Sequence, residues 1–167
     1  MRFWLVNGLV HTAIKNEVLN CDILVENGKI AAIGKCDDSA EKVDVKGKHI
    51  YPGLVEAHCH LGLEGFGFRY DEADYNELND AVTPELNAID AYNPLCPSVE
   101  NARKAGVTTV GTGPGSSDVI GGTFMAVKTY GNCVDEMVIK SPVAMKAALG
   151  ENPRKRYQDK QISSRMT

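Results

Sequence analysis

Lys48-His49-Ile50-Tyr51-Pro52-Gly53-Leu54-Val55-Glu56-Ala57-His58-Cys59-His60-Leu61-Gly62 is the stretch that decides how this chain is read. Side chains alternate faces along a β-strand. His58 and His60 are therefore expected to point one way and Cys59 the other. Two imidazoles side by side at a strand end make half of a divalent metal site. The preceding Leu54-Val55-Glu56-Ala57 is mostly apolar, as a strand buried on both faces would be. Pro52-Gly53 before it and Leu61-Gly62 after it mark the limits of the element.

The rest of the chain sets the context. Its 167 residues, 24% charged and 43% hydrophobic, are globular in composition. A net charge of −4 argues against a nucleic-acid partner, which asks for a basic excess. The one basic cluster, Arg154-Lys155-Arg156, reads as a solvated helix end. Cys21, Cys36, Cys59, Cys96 and Cys133 are odd in number and form no C-x-x-C pair, so they suggest neither a disulfide framework nor a zinc knuckle. Free thiols fit a reducing cytoplasm, and Cys59 reads as a packed core residue. Phe3-Trp4-Leu5-Val6 is cut off by Asn7-Gly8 and lacks a cleavage site, so no signal peptide is expected. No apolar run approaches a membrane span. Localisation is expected to be cytoplasmic.

Residues 1–51 read as a small all-β module. Strands are expected at Phe3–Val6, Leu9–Ile14, Asp22–Glu26, Lys29–Gly34 and Val43–Val45, with hairpin turns at Asn7-Gly8 and Asn27-Gly28. Residues 52–167 change character. The histidine strand leads into a polar, acid-rich loop from Gly62 to about Thr83. A helix from Val99 to Ala105, capped by Ser98 and stopped by Gly106, precedes a buried strand Val107–Val110. This β–loop–α–β order implies parallel pairing. Gly111-Thr112-Gly113-Pro114-Gly115 matches neither the dinucleotide nor the Walker pattern and reads as a tight loop. Phe124–Thr129 is strand-like, Val134–Ile139 fits strand or helix, Pro142–Gly150 fits a strand end or helical turn, and Asn152-Pro153 opens a further helix or turn.

The β module, the run Tyr51–His60 and the parallel continuation together resemble the amidohydrolase superfamily, and within it the imidazolonepropionase-related enzymes. Val82-Thr83-Pro84, Ala105–Val110, Gly121-Gly122 and Ala148-Leu149-Gly150-Glu151-Asn152-Pro153 are similar to the same group. The resemblance implies an α/β fold: the N-terminal half of a (β/α)8 TIM barrel, preceded by part of a β-sandwich. It implies hydrolysis of a C–N bond in a small cyclic-amide or dipeptide-like substrate by metal-activated water. The ion expected is zinc, with His58 and His60 as ligands at the end of the first barrel strand. A carboxylated lysine near the fourth strand is a further ligand of many members. Lys140 and Lys146 fall in that region, and Lys146 has the better-matching surroundings.

The chain departs from the family in length. Pro52 to Thr167 falls far short of the ~250 residues of a full barrel. No histidine follows His60, so two later histidine ligands and a late catalytic aspartate are absent. A fragment, a split-gene product and a complete short protein without catalysis each fit this. Half a barrel leaves open sheet edges, so self-association or a chain supplying the remainder is expected. The alternative to an enzyme is a non-catalytic binding or interaction module, and a third reading makes both histidines ordinary residues of a small α/β domain. Glu64, Asp71, Glu72 and Asp74 lie in the loop expected over the site and receive no assigned role. Arg69 is a candidate for holding a substrate carboxylate. His11 and His49 are expected to be structural or exposed.

Overall fold

The computed structural model describes residues 1–67, 73–160 and 162–166. Arg69, Asp71 and Glu72 lie outside the described residues. The chain divides into two compact units, Met1–Pro52 and Gly53–Thr167.

The first unit is all β. Its strands are β1 (Arg2–Val6), β2 (Leu9–His11), β3 (Val18–Asn20), β4 (Asp22–Glu26), β5 (Lys29–Gly34), β6 (Glu41–Asp44) and β7 (His49–Ile50). They form two small sheets, ordered β5-β4-β1-β6 and β3-β2-β7. Trp4 and Val6 alternate inward along β1 and pack with Leu24. At Asn27-Gly28 both residues have positive φ, which suits the tight turn joining antiparallel β4 and β5.

Asn7-Gly8 behaves differently from the expected hairpin turn. β1 and β2 belong to different sheets, and the dipeptide carries the chain from one to the other. A Cβ at Gly8 would lie 2.7 Å from the Ile50 side chain, so close packing with β7 explains the glycine. The second strand stops at His11, and β3, which pairs antiparallel with β2, was not anticipated. Its segment Val18-Leu19-Asn20 is too short to carry a clear alternation.

The second unit holds β8 (Leu54–Cys59), α1 (Ala88–Ala91), α2 (Pro97–Lys104), β9 (Val107–Thr112), β10 (Ile120–Lys128), α3 (Val134–Met137), β11 (Val138–Ala147) and α4 (Glu151–Arg156), with a 3₁₀ turn at Gln158–Lys160. Its four-stranded sheet has the order β11-β10-β9-β8. β8 and β9 are parallel, with α2 between them in sequence, as the β–loop–α–β reading expects. From β9 onward the sheet is antiparallel: β10 pairs antiparallel with both β9 and β11. The sheet is therefore mixed, a partial α/β domain with one parallel unit rather than a run of them. The reason is the connection. Residues 113–119 are too few for a parallel crossover, which needs a dozen or more residues.

Helix α2 starts two residues earlier than expected. Pro97 occupies its first turn, where a missing N–H costs nothing, and Cys96 rather than Ser98 is the cap residue. Gly106 ends the helix with φ +96°, a conformation only glycine adopts freely. The core gathers Leu63, Tyr92, Cys96, Val99, Val110, Met125, Val127 and Met137. Met125 and Val127 are wholly inaccessible, and each such side chain contributes about 2 kcal/mol of hydrophobic stabilisation.

The histidine strand is not buried on both faces. Leu54 is 60% and Val55 69% exposed, because β8 is the last strand of its sheet and pairs only with β9 among the described residues. Val143 and Met145 on β11, the opposite edge, are likewise exposed.

Candidate metal centre

β8 ends at Cys59, and the pleat puts His58 and His60 on one side. Their rings stand edge to face with centroids 5.7 Å apart. Cys59 turns the other way: it packs against the core, and its thiol lies 3.6 Å from the Gly111 carbonyl. Burial pushes the Cys59 thiol up from its ordinary value, which keeps it protonated and a poor ligand or nucleophile.

His60 is fixed by the loop after β9. Its Nδ1 lies 2.7 Å from the Gly113 carbonyl oxygen. A carbonyl can only accept, so Nδ1 carries the proton and Nε2 keeps its lone pair. This is the arrangement that orients a metal-ligating imidazole. Tyr75 stacks on the other side of the ring at 5.1 Å.

His58 meets Lys146. Lys146 lies near the end of β11 opposite Gly122 of β10, and its Nζ is 3.3 Å from His58 Nε2. An ammonium can only donate, so His58 Nε2 is the acceptor and its lone pair faces the lysine. Burial lowers the Lys146 pKa from its ordinary value. Phe124, on β10 and 6% exposed, lies close to all three: its ring centroid is 5.3 Å from His58, 6.5 Å from His60 and 5.8 Å from Lys146 Nζ.

Among the described residues, no group of three or more His, Cys, Asp or Glu side chains is placed to hold an ion. What converges is two imidazoles and one amine. Two imidazole nitrogens with lone pairs suit a divalent ion such as zinc, and the neighbouring amine becomes an anionic oxygen ligand once carboxylated. The donor set thus fits part of a metal site.

The structure brings His58, His60 and Lys146 together and leaves other candidates apart. Lys140 is exposed and sits opposite Ala126, well back along β11. Glu64 is exposed. Asp74 lines a separate cavity of about 270 Å³ with Leu63, Leu86 and Asp90. In the first unit, His11 Nε2 lies 2.7 Å from His49 Nδ1, and Tyr51 stacks on His11 at 4.1 Å. Gly113, Phe124 and Tyr75 were not singled out as neighbours of the histidines. The glycine-rich loop was visible in sequence, but its role is carried by a backbone carbonyl that no residue pattern reveals.

A parallel β–α–β unit whose first strand ends in two convergent histidines defines the class: a partial α/β domain with a histidine pair at the end of a strand. An amidohydrolase of known structure from Thermotoga maritima superposes on 98% of this chain with a TM-score of 0.93 and 38% identity, and this chain covers 44% of it. Amidohydrolase tasK of Hapsidospora irregularis is 31% identical over 113 residues, 64% of this chain and 12% of that protein. An allantoinase of Bacillus licheniformis is 37% identical over 71 residues, 42% of this chain and 15% of its own length. No family model matches the chain. The chain's homologues are amidohydrolases, and it spans less than half the length of each of these relatives. These likenesses do not single out the imidazolonepropionase-related group. Among the described residues, no helix is long and apolar enough to cross a membrane.

Proposed function

We propose that this chain supplies the first ligands of a metal-dependent hydrolase acting on the C–N bond of a small amide-type substrate. The observation that carries this reading is the pairing of His60 Nδ1 with the Gly113 carbonyl while Lys146 Nζ stands 3.3 Å from His58 Nε2. Names among the relatives support the reaction class, since allantoinase and dihydroorotase occur there.

His58 and His60 would hold the ion through their Nε2 atoms, and Lys146, as its carbamate, would add an oxygen. Zinc is the expected metal. Such an ion supplies a Lewis acid that polarises a carbonyl and makes a water easier to deprotonate. The chain's own contributions are orientation and shielding. Gly113 holds the His60 tautomer, and Tyr75 and Phe124 fix the rings from their flanks. Cys59 anchors the strand end in the core.

Zinc titration of the 167-residue chain with a competing chromophoric chelator tests the reading. Weak binding is expected from this partial ligand set, lowered by about tenfold or more when either histidine is replaced by alanine. Zinc binding indifferent to His58→Ala and His60→Ala refutes it.

A further inference from the structure

Beside His60 opens a cleft of about 640 Å³ whose far wall is built from α4 and from the loop that follows Gly113. Ser116 and Ser117 come from the loop, and Asn152, Lys155 and Arg156 from α4. In a chain of net charge −4, no carboxylate lines this cleft among the described residues. Its lining is two cations, two serine hydroxyls, the amides of Asn76 and Asn152 and the Tyr75 side chain, with the His60 ring at one end.

We infer that this cleft receives an oxyanion, carboxylate or phosphate, carried by the substrate, and that it sets the substrate class of the site proposed above. The inference rests on that reading for its meaning and on the cleft for its evidence. Lys155 pairs with Glu151 at 3.0 Å, but both side chains are exposed, and such pairs hold the ammonium only weakly. Its charge therefore remains available to a ligand. Arg156 offers a planar fork that fits either oxyanion in two-point contact. The two cations are consecutive in sequence and held on one short helix. Their position is fixed where α4 ends, because the following Tyr157 is 1% exposed. An oxyanion seated here directs the rest of a small substrate toward His60. The site thus selects acids over their neutral analogues, since an uncharged group leaves the guanidinium and ammonium without a partner in the cleft.

The test is a ¹⁵N-resolved NMR titration of the 167-residue chain with N-acetylglycine, N-acetylglycinamide and inorganic phosphate. The acid is expected to bind about tenfold more tightly than the amide and to shift the resonances of Asn152, Lys155, Arg156, Ser116 and Ser117. The Lys155→Gln, Arg156→Gln double variant should lose about tenfold in affinity for the acid, whereas Arg154→Gln, on the same helix but outside the cleft, should not. Phosphate binding more tightly than N-acetylglycine at the same residues identifies the oxyanion as phosphoryl; weaker binding identifies it as carboxylate. Equal binding of acid and amide, or acid binding unaffected by the double variant, overturns the inference. Zinc titration of the same samples separates the two ideas: intact zinc binding with no discrimination between acid and amide refutes the cleft alone.

Discussion

Replacing Tyr157 by phenylalanine removes one oxygen from a site where the loop 77–80, Asp118 and α4 are tied together. Tyr157 is 1% exposed and Asp118 fully buried. The hydroxyl lies 2.5 Å from Asp118 Oδ1, 2.9 Å from the Asp80 carbonyl and 3.0 Å from the Glu77 carbonyl. Asp118 Oδ2 has no hydrogen-bond partner among the described residues. Asp118 also accepts the Glu77 backbone N–H, so Tyr157→Phe removes one of the hydrogen bonds that hold the buried carboxylate. Leaving one buried acceptor unsatisfied costs about 1–3 kcal/mol, and a bond to an ionised group stands at the upper end. The expected loss for Tyr157→Phe is about 3 kcal/mol, or ~10 °C in Tm for a domain of this size.

The pH dependence sharpens this expectation. Burial raises the Asp118 pKa above its unfolded value, while the Tyr157 hydrogen bond opposes that rise. A carboxyl with a raised folded pKa binds its proton more tightly when folded. Stability is therefore greatest in acid and declines as pH rises from the unfolded pKa through the folded one. Without the hydroxyl the folded pKa rises further and the decline is larger. The stability gap between wild type and Tyr157→Phe should widen from acid toward neutral pH. Urea unfolding followed by near-ultraviolet circular dichroism at several pH values measures it. A loss below about 0.5 kcal/mol, the range of an unremarkable surface change, or a gap constant with pH, refutes the reasoning.

Gly111→Ala should split β8 from β9, because the added methyl would sit 2.5 Å from the Ala57 carbonyl oxygen. A loss of about 3 kcal/mol is expected, with the His58 and His60 resonances shifting in parallel; a stable variant with unmoved histidines contradicts the packing. Asp22 accepts backbone N–H groups from Cys36 at 2.9 Å and Asn7 at 3.1 Å, which holds its pKa below the usual carboxylate range. Its stabilisation is present above the unfolded pKa and disappears as pH falls through the folded one. Asp22→Asn should therefore flatten the acid limb of unfolding, read by the fluorescence of Trp4 in the same unit, and an unchanged limb counts against the assignment. Lys146→Met should weaken zinc binding by about tenfold, and added bicarbonate should strengthen binding by wild type but not by the variant. A bicarbonate response retained in Lys146→Met removes the carbamate from the site.

The features visible in sequence were those with local causes. Asn27-Gly28 encodes its own turn through positive φ, and His58-Cys59-His60 encodes two faces through the pleat alone. Features set by distant partners were not visible. Asn7-Gly8 carries the same kind of signal as Asn27-Gly28, yet it switches sheets because Ile50 of β7 packs against it. β10 is strand-like in sequence, whereas the β11 region fits strand or helix and becomes one ten-residue strand only by pairing along β10; the short connection 113–119 makes β10 antiparallel to β9. Lys146 could be ranked above Lys140 from its surroundings in sequence, but its approach to His58 depends on β10 standing between distant segments of chain.

The acceptor that holds His60 is a main-chain atom, which changes how the site tolerates mutation. A side-chain partner can be lost by a single codon change, whereas the Gly113 carbonyl survives every substitution at its own position. What position 113 does restrict is volume, since a Cβ there would lie 2.4 Å from the Phe124 ring. A deep mutational scan of this chain would therefore record the imidazole's support as a size limit at residue 113, graded by side-chain bulk and indifferent to polarity.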